Sequence, residues 1–179
     1  MKIVIDLDST IIDTSLTLIN LNNKISTNKI NYTKEHDWNF SPMVKTKEEL
    51  SNLFTLFDNK DFYKDVIIFK NAKEIINKLS EKHEIIVCTK HCDSRKKLTK
   101  EWIKKTFPKA QLVFAESFNK SFVGECDVFI DDRLDALESM RGIAKEIICY
   151  GNYKWNKDWM GKRINNWLEI EKIINEGEI

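Results

Sequence analysis

Five short stretches of the chain are apolar almost from end to end: "IVI" at 3–5, "EIIVCT" at 84–89, "QLVFAE" at 111–116, "DVFIDD" at 127–132 and "EIICYG" at 146–151. Each has strand length and many β-branched residues, and none alternates strictly with polar positions. That is how strands read when both faces of a parallel sheet are covered. Between them the period changes. Ala72, Ile75, Ile76 and Leu79 fall at i, i+3, i+4 and i+7 within 71–82, giving one apolar helical face. Leu98, Trp102 and Ile103 give a similar stripe over 93–107, stopped by Pro108, and Leu134, Leu137 and Met140 give another before Gly142. Strand and helix thus alternate from residue 66 onward. The pattern predicts an α/β fold with a doubly wound, five-stranded parallel sheet in three α/β/α layers.

Residues 14–65 break this rhythm. They hold no strand candidate and are rich in Asn, Lys, Ser and Thr, so a small helical cap subdomain is expected there, inserted after strand one into a core of residues 1–13 and 66–179. Trp38, Phe40, Phe54, Phe57, Phe62 and Tyr63 are expected to furnish its small core. The tryptophan-rich "YGNYKWNKDWMGKRINNWLEI" near the end is expected to pack a terminal helix.

Charge excludes several classes of partner. Twenty-nine Lys and Arg against 28 Asp and Glu leave a net charge of +1, which gives no general attraction to polymeric nucleic acid or to a membrane surface. No stretch approaches 18 apolar residues and no basic region followed by an apolar run opens the chain, so a cytoplasmic protein is the expectation. Cys88, Cys92, Cys126 and Cys149 lack a paired spacing and read as reduced thiols. Cys88 and Cys92 flank His91, but no second ligand pair follows to complete a zinc site.

The polar residues at the strand ends carry the chemistry, because ligands of open α/β sheets sit beyond the carboxyl ends of the strands. Strand one runs into Asp6 and Asp8, strand two into Thr89 and Lys90, and strand four into Asp131, Asp132 and Arg133, with Lys120 in the loop before it. Up to four carboxylates at one rim are costly without a counter-charge. Hard oxygen ligands at this density favour Mg²⁺. Taken singly, each acidic pair has a plainer explanation, Asp8 or Ser9 as a helix cap and Asp131 with Asp132 at a helix N-terminus. A receiver domain uses the same residue types, but its phosphorylated Asp ends the third strand, where this chain has Ala115 and Glu116.

The order Asp-x-Asp-Ser-Thr, Thr, Lys, Asp-Asp resembles the haloacid dehalogenase superfamily of phosphohydrolases over residues 6 to 132. The segments "DLDST", "DWNF", "CTK", "NKSFVGECDVFIDDR" and "YKWNKDW...RINNW" look more particularly like the 5'(3')-deoxyribonucleotidases. The resemblance implies a phosphatase acting on nucleoside monophosphates, as a monomer or homodimer. Asp6 would form an aspartyl-phosphate, and Asp8 would protonate the leaving oxygen and then activate water. Mg²⁺ would be held by Asp6, the carbonyl of Asp8, Asp131 and Asp132. An ionised Asp6 some 4 Å from a phosphate dianion is repelled by about 8 kcal/mol at an effective dielectric near 20, about six decades in rate. Mg²⁺ and the Lys120 ammonium offset that repulsion, and the Thr89 hydroxyl donates to a phosphoryl oxygen. Trp38 and Phe40 are the candidates for a wall against the base. Lys90 is a further candidate contact, and Arg133 either touches substrate or pairs with Asp132. Two residues depart from the superfamily pattern: Ser9 stands where Gly is frequent, and Lys90 where a small polar residue is.

Other readings of the same residues are a phosphatase for another small phosphoester or a non-catalytic phosphate-binding protein. The latter predicts loss of Asp6, Asp8, Lys120 or Asp131, and all four are present. His36 and His91 are expected to be structural or solvated and to stay out of the mechanism.

Overall fold

At the centre of the sheet lies β1 (Lys2–Ile5), with β2 (Glu84–Thr89) on one side and β4 (Cys126–Asp131) on the other, both parallel to it. In this computed structural model, which describes residues 1–175, β3 (Gln111–Phe114) extends the sheet beyond β2, and β5 (Ala144–Tyr150) and β6 (Arg163–Ile164) extend it beyond β4. The order is β3-β2-β1-β4-β5-β6 and every pairing is parallel. The doubly wound parallel class agrees with the sequence pattern, but the described residues form six strands. The sixth is only Arg163 and the buried Ile164, too short to leave an apolar run; its Arg163 is held by the Asn156 carbonyl (2.7 Å) and Oδ1 (2.8 Å).

The sheet is covered on both faces. Ile3 and Ile5 point to one side with Ile85, Val87, Val128 and Ile130, whereas Val4 points to the other with Ile86, Cys88 and Phe129, as the period of two requires. On the first side lie α1 (Thr14–Ile25), α3 (Ala72–Leu79), α4 (Asp93–Thr106) and α6 (Trp167–Asn175), which send Leu18, Ile76, Ile103 and Ile170 into one core. On the second, α5 (Leu134–Ser139) contributes Ala136 and Leu137, joined by Met140 and Trp159. The buried face of α4 carries Arg95, Thr99, Ile103 and Thr106. It keeps Ile103 of the predicted Leu98, Trp102 and Ile103 stripe, with Trp102 packed at its side, but is centred further round on Arg95 and Thr99.

Between β1 and α3 the chain forms α1, α2 (Lys47–Thr55) and a 3₁₀ turn at Leu56–Asp58. Asp13, not Asp8 or Ser9, caps α1 by accepting from the Leu16 amide at 2.9 Å. Thr46 and Glu49 form a reciprocal capping box at α2. Phe40, Leu53, Leu56 and Phe62 are buried in the same cluster as Ile3, Ile5 and Ile130. These residues of the insertion extend the core of the sheet, while Trp38 is 59% exposed.

Candidate active site

Strand order reverses at the β1/β4 boundary, and that is where a crevice opens beyond the carboxyl ends. Asp6 follows β1 directly and its amide donates to the Ile130 carbonyl (2.9 Å). Asp131 ends β4, and Lys120 enters from the preceding loop. Its ammonium bridges Asp6 and Asp131 (2.7 Å to Oδ2) and also donates to the Cys88 carbonyl at 2.8 Å. Asp132 completes the acidic group: carboxylate oxygens of Asp6, Asp131 and Asp132 lie within 4.8 Å of one another, all buried. Its Oδ2 accepts from the Trp155 indole N–H at 2.7 Å.

Electrostatics separate this group from Asp8. Burial pushes Asp6 up to about 7, with Asp131 and Asp8 adding to the rise and Lys120 resisting it. Burial likewise raises Asp132 well above the usual range, with Asp131 and Asp6 reinforcing it. Burial acts in the same sense on Asp8, but the Arg95 guanidinium and His91 overcome it and hold this carboxyl well below the usual range. Arg95 donates from Nη2 to Oδ1 (2.9 Å) and from Nη1 to Oδ2 (3.2 Å), His91 Nε2 lies 2.7 Å from Oδ2, and Thr14 donates to Oδ1 at 2.7 Å.

The turn joining the two carboxylates to α1 is tight. Ser9 has φ 59°, in the left-handed region that suits glycine. That conformation gives the physical reason glycine is frequent at this position of the superfamily, and Ser9 adopts it with a side chain. The Ser9 carbonyl accepts from Tyr153 Oη at 3.1 Å. Thr89, at the end of β2, is buried with its hydroxyl 3.2 Å from His91 Nε2.

These groups line a cavity of about 340 Å³ whose other walls include Trp38, Phe40, Phe54, Phe57, Phe118 and Trp155. Such a mixture of apolar walls and convergent polar groups is what small-molecule sites have in common. Over residues 1–177 the chain matches the family model described as 5' nucleotidase, deoxy (pyrimidine), cytosolic type C protein. The chain belongs to that family. Among curated proteins no match was found. Solved structures similar in fold include a haloacid dehalogenase-like hydrolase from Streptococcus pneumoniae (13% identity, 97% of each chain covered, TM-score 0.65). YfnB from Bacillus subtilis, a HAD-hydrolase solved bound to magnesium, is similar too (14% identity, 97% of this chain and 98% of that one, TM-score 0.65). The family and the fold together make the chain a phosphohydrolase of the haloacid dehalogenase type, a nucleotidase.

Within this nucleotidase, Asp6, Thr89, Lys120 and Asp132 line one cavity with Asp8, Trp38, Phe40, Lys90 and Arg133. Asp131 touches the same group through Lys120. Arg133 does not pair with Asp132; it chelates Asp135 (3.0 Å twice) and lies 3.7 Å over the Phe118 ring, which Lys90 also approaches at 4.2 Å. The terminal tryptophans divide. Trp159 and Trp167 are buried, as a packing role requires, whereas Trp155 reaches the site. Arg95 also escaped notice in the sequence, and His91, expected there to stay out of the chemistry, lies 2.7 Å from Asp8 Oδ2. Arg95 had a readable signal, since it shares a helical stripe with Thr99 and Ile103 and a charge on an apolar face asks for a partner. Trp155, in a 3₁₀ turn at Lys154–Asn156, was marked only as part of "YKWNKDW", and Phe118 lies outside helices and strands; no periodicity aims either at the site.

Proposed function

We propose that this nucleotidase hydrolyses pyrimidine deoxyribonucleoside monophosphates in a Mg²⁺-dependent reaction through an aspartyl-phosphate on Asp6. The observation that carries the reading is the meeting of Asp6, Lys120, Asp131 and Asp132 at the sheet's switch point beside an aromatic-walled cavity. Three buried carboxylates share one ammonium there, and burial, with repulsion from the neighbouring carboxylates, raises Asp6 and Asp132. That donor set suits a hard divalent cation. Asp6, Asp131, Asp132 and the Asp8 carbonyl would hold Mg²⁺, whose chemistry is to neutralise phosphoryl oxygens.

Substrate binds with its phosphate against Lys120 and the Thr89 hydroxyl. An Asp6 oxygen forms a bond to phosphorus as the ester P–O bond breaks. The electron pair of that bond passes to the nucleoside oxygen, which takes a proton from Asp8 and leaves as the alcohol. Water then gives a proton to the Asp8 carboxylate and attacks phosphorus. The P–O bond to Asp6 breaks, its electrons return to the carboxylate, and inorganic phosphate departs with both aspartates restored. Residues 14–65 act as a cap over this site, with Trp38 and Phe40 walling the base and Lys90 and Arg133 at the phosphate side.

A panel of ribo- and deoxyribonucleoside 5'- and 3'-monophosphates, assayed with Mg²⁺ and with EDTA, tests the proposal. Pyrimidine deoxyribonucleotides are expected to give the highest kcat/KM, and EDTA to abolish turnover. Equal rates on nucleotides and simple sugar phosphates would remove the substrate assignment. Undiminished turnover in EDTA would remove the metal.

A further inference from the structure

Lys120 donates to Asp6 and Asp131, whereas Asp132 is held from the segment that follows β5. Trp155 gives its indole N–H to Asp132 Oδ2 at 2.7 Å, and the next residue, Asn156, donates from Nδ2 to the Asp132 carbonyl at 2.9 Å. The other carboxylate oxygen, Oδ1, meets Thr10 Oγ1 at 3.4 Å, a long contact. An indole N–H is a donor and nothing else. Oδ2 is therefore committed, and Oδ1 keeps lone pairs for a cation.

The ring that carries this N–H is braced on two sides. Tyr153 stacks on it with 4.4 Å between centroids and 4° between planes, its own hydroxyl anchored on the Ser9 carbonyl at 3.1 Å. His36 of the insertion meets it at 5.7 Å and 57°. That imidazole is pinned in turn: its Nδ1–H donates to the Thr33 carbonyl (2.7 Å) and its Nε2 accepts from Ser15 Oγ (2.9 Å). Trp155 also walls the cavity, but a wall needs only the ring. The N–H aimed at a buried carboxylate calls for a second role.

We infer that Trp155 is a positioning residue for the cation site: its indole N–H fixes the plane of the Asp132 carboxylate so that Oδ1 is offered to the metal. The inference rests on the proposed Mg²⁺ site and goes beyond it, since Trp155 acts only through Asp132. Without the N–H the carboxylate turns about its Cβ–Cγ bond, and the cost of ordering it falls on metal binding. Outer partners that orient metal ligands in this way are worth about 10–100-fold in affinity.

The test is Mg²⁺ binding without substrate, which leaves the ring's part in walling the cavity silent. Dissociation constants are read from the dependence of the melting midpoint on Mg²⁺ concentration in metal-free wild type, Trp155→Phe and Trp159→Phe. Trp155→Phe keeps an aromatic ring and loses the donor, and its constant is expected to rise about tenfold. Trp159→Phe also loses an indole N–H, one that donates to the Lys162 carbonyl at 3.0 Å, and is expected to bind Mg²⁺ as wild type does. Equal constants in wild type and Trp155→Phe overturn the inference. So does an equal rise in both variants, which is what a general loosening would produce. Should Trp155→Phe fail to fold, NMR of the wild-type indole N–H groups decides: of the five tryptophans, Trp155 is expected to shift most on adding Mg²⁺, and a resonance unmoved at saturation overturns the inference. A wild type whose melting Mg²⁺ leaves unchanged would instead overturn the metal assignment beneath it.

Discussion

Asp6 and Asp8 stand one residue apart in the chain and end in opposite electrostatic company. On the Asp6 side three buried carboxylates contend for a single ammonium, and the carboxyls of Asp6 and Asp132 rise. On the Asp8 side one carboxylate meets a guanidinium, a histidine and a hydroxyl, and it falls. Both halves are desolvated, so burial alone does not set the sign. What decides is the number of donors per carboxylate, since an ion taken from water is tolerated only when its lone pairs are repaid. A deficit marks where a cation belongs, and a surplus marks a group whose orientation its donors fix.

The comparison breaks most visibly at the nucleophile. Asp6→Asn leaves Lys120 with Asp131 and the surrounding cavity in place but removes the attacking oxygen, and kcat is expected to fall at least about 10⁴-fold. Full turnover in steady-state assays of this variant would move the chemistry off Asp6.

Next comes the charge deficit itself. A ligand at 100 times its dissociation constant stabilises by about 2.7 kcal/mol, roughly 5–10 °C in Tm for a chain of this size. Mg²⁺ added to EDTA-treated protein is expected to raise the melting midpoint by that order. Asp132→Asn is expected to melt higher than wild type in EDTA, because a carboxyl raised by burial and two like charges must take up a proton or stay charged to fold at neutral pH, and either opposes folding. It is also expected to lose most of the Mg²⁺ shift. Asp8→Asn should keep the shift, since the residue's carbonyl is unchanged. Equal loss in both variants, read by differential scanning fluorimetry, would erase the distinction between the two halves.

The sequence was most informative about the deficit half. Asp6, Asp131 and Asp132 sit at or beside ends of strands whose apolar runs are unmistakable, so a parallel sheet brings them to one rim almost by topology, and Lys120 comes from the loop that leads into β4. The surplus half was harder to read because its parts come from helix faces and loops. Arg95 is placed by the rotation of α4, which its sparse apolar residues did not define, and Trp155 by a segment with no period at all. The two-residue β6 escaped because it is too short to show a period: Arg163 is anchored by Asn156 and Ile164 is a single buried apolar residue. Residues 38–40 show the limit from another side. Two aromatics two positions apart look equivalent in sequence, but Phe40 adopts φ 63° and is buried with its ring stacked near His36, whereas Trp38 stays at the surface of the cavity.

That last contrast gives the smallest of the expected effects and separates binding from folding within the insertion. Phe40→Ala removes a buried ring and is expected to cost about 3–5 kcal/mol of stability, which would obscure any effect on substrate. Trp38→Ala removes a ring that is mostly in water, and surface substitutions of this kind change stability by only about 0.5 kcal/mol either way. Base stacking on an aromatic side chain is worth about 1–3 kcal/mol. A half-exposed ring at a cavity rim belongs at the lower end of that range, so KM for a nucleotide is expected to rise about fivefold. A sugar phosphate carries no base to stack, and its KM should move far less. If both KM values shift together, Trp38 shapes the cavity entrance without reading the base, and the wall reduces to Phe40 and the aromatics behind it.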